Sequence, residues 1–92
     1  MSVYVGVPMW PFGRMIMCHM VADTEKELDE MARELGLRRS WKQPPTKGHS
    51  FPHYDIAKSK RAQAIKLGAK PLDTIHEEAD VLDRLAGRAD ND

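Results

Sequence analysis

Cysteine is nearly absent from this sequence. Its 92 residues include one, Cys18, so no intramolecular disulfide can form and a zinc site built on paired thiolates is excluded. Long apolar runs are also missing. The longest, "MIMCHMVA" at 15–22, contains a histidine and falls far short of the roughly 20 residues that cross a bilayer, so it reads as a buried strand. No glycine-rich phosphate loop is present: Gly13–Arg14 makes neither a P-loop nor a dinucleotide fingerprint. No Gly-x-Ser-x-Gly elbow offers a serine nucleophile. Cys18, inside the apolar run, does not make a protease pair with its neighbour His19. The first residues lack a basic region, and Pro8, Trp10 and Pro11 break up the apolar stretch. No signal peptide is therefore expected, and a cytoplasmic location fits the lone cysteine.

What the sequence does contain is ordinary for one small globular domain. Hydrophobic residues make up 41% and charged residues 30%. A chain of this length buries roughly two-thirds of its unfolded surface. The net charge of zero conceals blocks: residues 1–37 carry −3, residues 38–70 carry +8, and residues 71–92 carry −5. The basic centre suits an anionic partner, or it pairs with the acidic helices on either side.

Periodicity predicts an α/β domain in the order β-β-α-β-α-β-α, with helices on a mostly parallel sheet. Strands are expected at 2–7, 14–21, 37–42 and 69–72, with a proline-broken loop at 8–13. Thr24 and Glu27 form a capping box for the first helix, whose stripe is Leu28, Met31, Ala32 and Leu35, and Gly36 ends it. A Pro/Gly loop at 43–52 leads to a second helix over roughly 57–67, with Asp55 at or just before its N-cap. The third helix carries Ile75, Ala79, Leu82 and Ala86. Residues 1–86 form the domain and 87–92 an acidic, frayed tail.

Ligands of such sheets gather near helix N-termini past the carboxyl ends of strands. That rule singles out His19 and Asp23, where the carboxylate can orient the histidine; equally, His19 can be a buried histidine and Asp23 a cap. It also singles out His53, Tyr54 and Asp55 ahead of the lysine- and arginine-rich helix. There, Tyr54, Lys60 and Arg61, with Arg14 and Arg39, can hold a phosphate, and His53 can act as general acid or base. The plain alternative is a turn and a solvated helix face. Trp41 can stack a base, and Trp10 and Phe12 can form a lid or a partner-binding knob, or simply cover a core edge. His49 and His53 with Asp55 or Asp23 have a spacing a metal permits, but no metal and no cofactor is assigned.

The phrases "FGRMIMCHMVADTEKELDEMARELGLRRSWK" and "PHYDIAKSKRAQAIKLGA" give the chain a resemblance. It resembles a small family carried by phages and bacteria, the domain of unknown function numbered four-zero-three-one, over about residues 2–72. The resemblance implies a recurring module in a bacterial cell or phage-infected host and brings no activity with it. His19, Asp23, His53, Tyr54, Asp55 and Arg61 match the family's pattern. Gly6 and Asp29 depart from it, standing where members often carry aspartate and histidine, and this favours binding over turnover. Three functions follow in order. The first is an anion-binding module for a nucleotide or nucleic acid at the start of helix two. The second is a nucleotide-directed phosphoesterase or glycosidic-bond enzyme using His19 or His53, with Asp23 as orienter. The third is a phage accessory protein that binds a host protein. No membrane contact is expected, and an exposed edge strand would permit a homodimer.

Overall fold

The computed structural model describes residues 2–43 and 52–91, with side chains through Gly87. Most of the expected 43–52 loop, including His49, lies outside the described residues.

The chain opens with a long β-hairpin. Its first arm is split into β1 (Val3–Val5) and β2 (Trp10–Phe12), and its second arm is β3 (Met15–Ala22). Gly13, at φ 62°, makes the left-handed turn between Phe12 and Met15 that a side chain would disfavour. Val5 pairs with Met20 and Trp10 with Met17, so residues 6–9 face only Cys18 and His19. Pro8 has no N–H to give the ladder, and the pairing resumes where Met9 N–H donates to the Met17 carbonyl (2.9 Å). Residues 8–13, expected as a loop, are therefore the bulge and second half of a strand.

α1 (Glu25–Glu34) forms as its caps and stripe predict. Thr24 Oγ1 accepts from Glu27 N–H (3.2 Å), and Leu28, Met31, Ala32 and Leu35 are buried. The stretch 37–42, expected as a strand, instead holds a 3-10 turn at Arg39–Trp41, anchored by Lys42, whose Nζ meets Glu25 (2.7 Å) and Asp29 (3.1 Å). At Lys42, at least, the basic centre does pair with the acidic helix beside it.

The missing strand appears at β4 (Tyr54–Ala57), which runs directly into α2 (Lys58–Lys66). The α2 N-cap is Ala57, with no side-chain cap bond, so Asp55 is a strand residue and not a cap. Local sequence favoured the cap because aspartate precedes the helix. Pairing with β3 wins because it buries Tyr54 and Ile56 (2% and 1% exposed). β5 (Lys70–Pro71) and α3 (Ile75–Asn91) follow.

The sheet is mixed, not mostly parallel. β3 pairs antiparallel with β1 and β2 along one side and with β4 along the other, while β5 alone runs parallel to β1. The hairpin accounts for part of this correction, since a strand that returns through a tight turn lies antiparallel to its predecessor, and β4, coming after α1, also pairs antiparallel with β3. Helices cover both faces. α1 and α2 pack on Val5, Cys18, Met20, Tyr54 and Ile56. α3 packs on Tyr4 and Val21 through Leu85, with Val81 and Leu82 partly buried. The α3 stripe is thus rotated from the expected one: Ile75 is 60% exposed, and the buried line begins at Glu78. Among the described residues, no helix is long and apolar enough to cross a membrane.

Cys18 lies on the opposite face of β3 from His19, in the α1/α2 core. Burial pushes its thiol up to about 11, against a smaller opposing effect of Arg61. Deprotonation is resisted in the folded state, so the thiolate that attacks disulfide reagents is scarce at pH 8. Native protein is expected to react with a chromogenic disulfide far more slowly than protein in guanidinium. Equal rates would show that Cys18 is accessible.

Candidate functional site

A period of two places His53 and Asp55 on the same face of the chain, while Tyr54 and Ile56 enter the α1/α2 core. The antiparallel register then sets His19 of β3 directly opposite Asp55 of β4. His53, one pair further along on the same face, is held at its backbone by a two-way bridge to Gln43. Three groups far apart in sequence thereby share one patch of sheet beside α3.

Their atoms converge. His19 Nε2 is 3.8 Å from Asp55 Oδ1, and His53 Nε2 is 3.6 Å from the same oxygen. The two rings meet edge to face at 5.4 Å. One ligand atom from each of the three residues falls within a 4.8 Å cluster. The separations are too long for hydrogen bonds. Asp55 Oδ1 is solvent-inaccessible, yet no hydrogen-bond donor reaches it among the described residues. An ionised acceptor in that position is costly unless a cation offsets it.

His19 is held from behind. Its Nδ1 lies 3.4 Å from Glu78 Oε2, and the other oxygen, Oε1, accepts from Val7 N–H at 2.6 Å. Glu78 is 4% exposed. Trp10 packs against the His19 ring, with centroids 4.7 Å apart, and bounds the patch on the β2 side.

The other residues singled out in the sequence lie elsewhere. Asp23 is not the His19 orienter: it sits four residues further along the strand direction, about 13 Å away. There it accepts from Ser2 N–H (2.9 Å) and the Tyr4 hydroxyl (3.4 Å) and faces Arg84. The phosphate cradle expected at the start of α2 is not assembled from its named residues. Tyr54 is core, its phenol pushed up chiefly by burial. Lys60 Nζ caps the end of α1 through the Leu35 carbonyl (2.8 Å). Arg61 donates to the carbonyls of Gly6 (2.8 Å) and Leu72 (3.1 Å). Tyr54 and Arg39 line a groove of about 410 Å³ beside α1, across the sheet from His53. Trp41 is half exposed, with the Arg38 guanidinium over its ring, and Arg14 and Phe12 are exposed at the hairpin turn.

The sequence reading missed Glu78 and undervalued Asp55. For Glu78 a signal existed: with Val81, Leu82 and Leu85 it forms an i, i+3, i+4, i+7 line, so a carboxylate heads an apolar stripe. For Asp55 the signal was the alternation of "HYDIA", polar and apolar by turns.

Together these features define a small α/β protein with a two-histidine, one-carboxylate cluster on one face of a mixed sheet, backed by a buried glutamate. The chain belongs to the family described as "Protein of unknown function (DUF4031)", which matches residues 3–85. No curated protein and no solved structure matches it.

Proposed function

We propose that the protein binds a divalent transition-metal ion through His19 Nε2, His53 Nε2 and Asp55 Oδ1, and that this ion is a hydrolytic centre. The observation that carries the reading is the buried Asp55 Oδ1, facing two imidazole nitrogens at 3.6 and 3.8 Å with no hydrogen-bond donor among the described residues. Ligand atoms about 2.1 Å from a tetrahedral ion lie about 3.4 Å from one another; the two distances to Asp55 Oδ1, 3.6 and 3.8 Å, need to close by a few tenths of an ångström, and the two imidazole nitrogens, within 4.8 Å of each other, by up to about 1.4 Å. Two imidazoles and a carboxylate are a donor set for zinc, iron, cobalt or manganese.

Three protein ligands would leave the fourth position of a tetrahedral ion for a water or a substrate oxygen. An ion so held lowers the pKa of its water and polarises the bond that the water attacks. The substrate would be an ester or phosphoester, whose oxygen would reach the ion as its coordination number rises to five. Trp10 offers a flat wall beside it. His19 and His53 act in this reading as ligands.

The test uses chelator-stripped full-length protein titrated with Co²⁺. Saturable visible bands at about one ion per chain, displaced by Zn²⁺ and lost in His53→Ala, are expected. Hydrolysis of a chromogenic phosphodiester should then depend on added metal. Absence of saturable binding, or binding unchanged in His53→Ala, would overturn the proposal.

A further inference from the structure

We infer that Glu78 is the positioning residue of this centre: it holds His19 as the Nδ1–H tautomer, so that the Nε2 lone pair is presented to the ion. The inference rests on the reading above that His19 is a ligand. Its own evidence is separate. A glutamate 4% exposed on the inner line of an amphipathic helix is costly, and both its oxygens are engaged. Oε1 is fixed by the Val7 N–H in the hairpin bulge, which aims Oε2 at His19 Nδ1. A carboxylate accepts, and the Glu78 contact (3.4 Å) is the shorter of the two carboxylate contacts the ring makes, against 3.8 Å to Asp55, so the proton is assigned to Nδ1. The opposite nitrogen, Nε2, then carries the lone pair, and it is the one turned toward Asp55. A carboxylate behind a ligating imidazole both selects the tautomer and raises the basicity of the ligand.

The bulge is shaped for this carboxylate. A Cβ at Gly6 would collide with Glu78 Oε1, and the next nearest atoms belong to the same carboxyl group. The Gly6 backbone is not in the left-handed region, so the need for glycine there is one of space. The Arg61 bond to the Gly6 carbonyl and the Gly6 N–H bond to the His19 carbonyl (both 2.8 Å) hold the bulge on both sides. α3, the hairpin and β3 thus meet at one carboxylate.

Glu78→Gln separates positioning from packing. Its amide keeps the shape and can still accept from Val7 N–H through its oxygen. It then turns an NH₂ donor toward His19 Nδ1, which must become the acceptor, leaving the proton on Nε2. Two measurements are made on wild type, Glu78→Gln and Gly6→Ala: long-range ¹H–¹⁵N correlation of the His19 ring in metal-free protein, and Co²⁺ affinity. The expected result is an Nδ1–H ring in wild type and an Nε2–H ring in Glu78→Gln with unchanged melting. Affinity is expected to fall about 10- to 100-fold in both variants. An Nε2–H ring in wild type, or an unchanged ring and affinity in Glu78→Gln, would overturn the inference. A tautomer switch in protein that binds no metal at all would support control by Glu78 while refuting the metal reading.

Discussion

Replacing Asp55 with asparagine is expected to abolish metal binding and, in metal-free protein, to raise the melting temperature. The two effects share one cause. Asp55 Oδ1 is buried with no hydrogen-bond donor among the described residues, and imidazole nitrogens of His19 and His53 lie 3.8 and 3.6 Å away. In metal-free protein this unsatisfied oxygen is a liability, moderated by the 33% exposure of the side chain as a whole. An amide of the same shape removes it, and its NH₂ can donate to an imidazole nitrogen. A gain of a little under 1 kcal/mol moves Tm up by about 4 °C in a domain of this size. The same change deletes the anionic ligand of a three-ligand site. The loss of affinity should exceed the 10- to 100-fold that an outer partner costs. Stability traded for function at one side chain is a recognised sign of a working site. Scanning calorimetry and Co²⁺ titration of the variant decide the matter. A lower Tm in the metal-free variant would mean that Asp55 is a structural partner of the histidines. Retained affinity would mean that it is not a ligand.

Tyr54→Ala is expected to cost about 3–4 kcal/mol, while Tyr54→Phe leaves both stability and metal affinity close to wild type. Tyr54 is 2% exposed and belongs to the cluster that joins β4 to α1 and α2, with Met20 opposite it on β3. Truncation removes the ring and leaves a cavity between sheet and helices. For a chain of this length, total stability is on the order of 5–14 kcal/mol, so the loss is a large fraction of the whole. Phenylalanine keeps the packing. Urea denaturation of the two variants measures this directly. A large effect of Tyr54→Phe on ligand binding, with unchanged stability, would return the residue to the phosphate-binding role that its place in "HYD" suggested.

The residues legible from sequence are those whose structure is decided locally. α1 was readable in full, because capping box, apolar stripe and terminal glycine all act within one stretch of 13 residues, Thr24 to Gly36. Gly13, Gly36 and Gly68 lie at turns because each takes a positive φ. His19 and His53 were singled out, and they do lie side by side. Their partner was misassigned. Asp23 is four residues from His19 in the chain, whereas Asp55 is 36 away but directly across the ladder. The same failure gave residues 37–42 to a strand and Asp55 to a cap. A short β-prone run and an aspartate before a basic helix satisfy local rules, and only the neighbouring strand overrules them.

The sequence by itself determined the three helices, the α1 docking stripe, the exclusion of an intramolecular disulfide and of a paired-thiolate zinc site, and the histidines at issue. Each follows from local periodicity or from composition. Tertiary structure alone decided that the sheet is mixed, that Asp55 opposes His19, and that Glu78 reaches back from α3 to the hairpin bulge. Strand register is set by which faces are buried, and a slip of one residue would turn His53 and Asp55 into the core and Tyr54 out of it. That choice rests on apolar area summed over the whole domain, and no window of a few residues contains it.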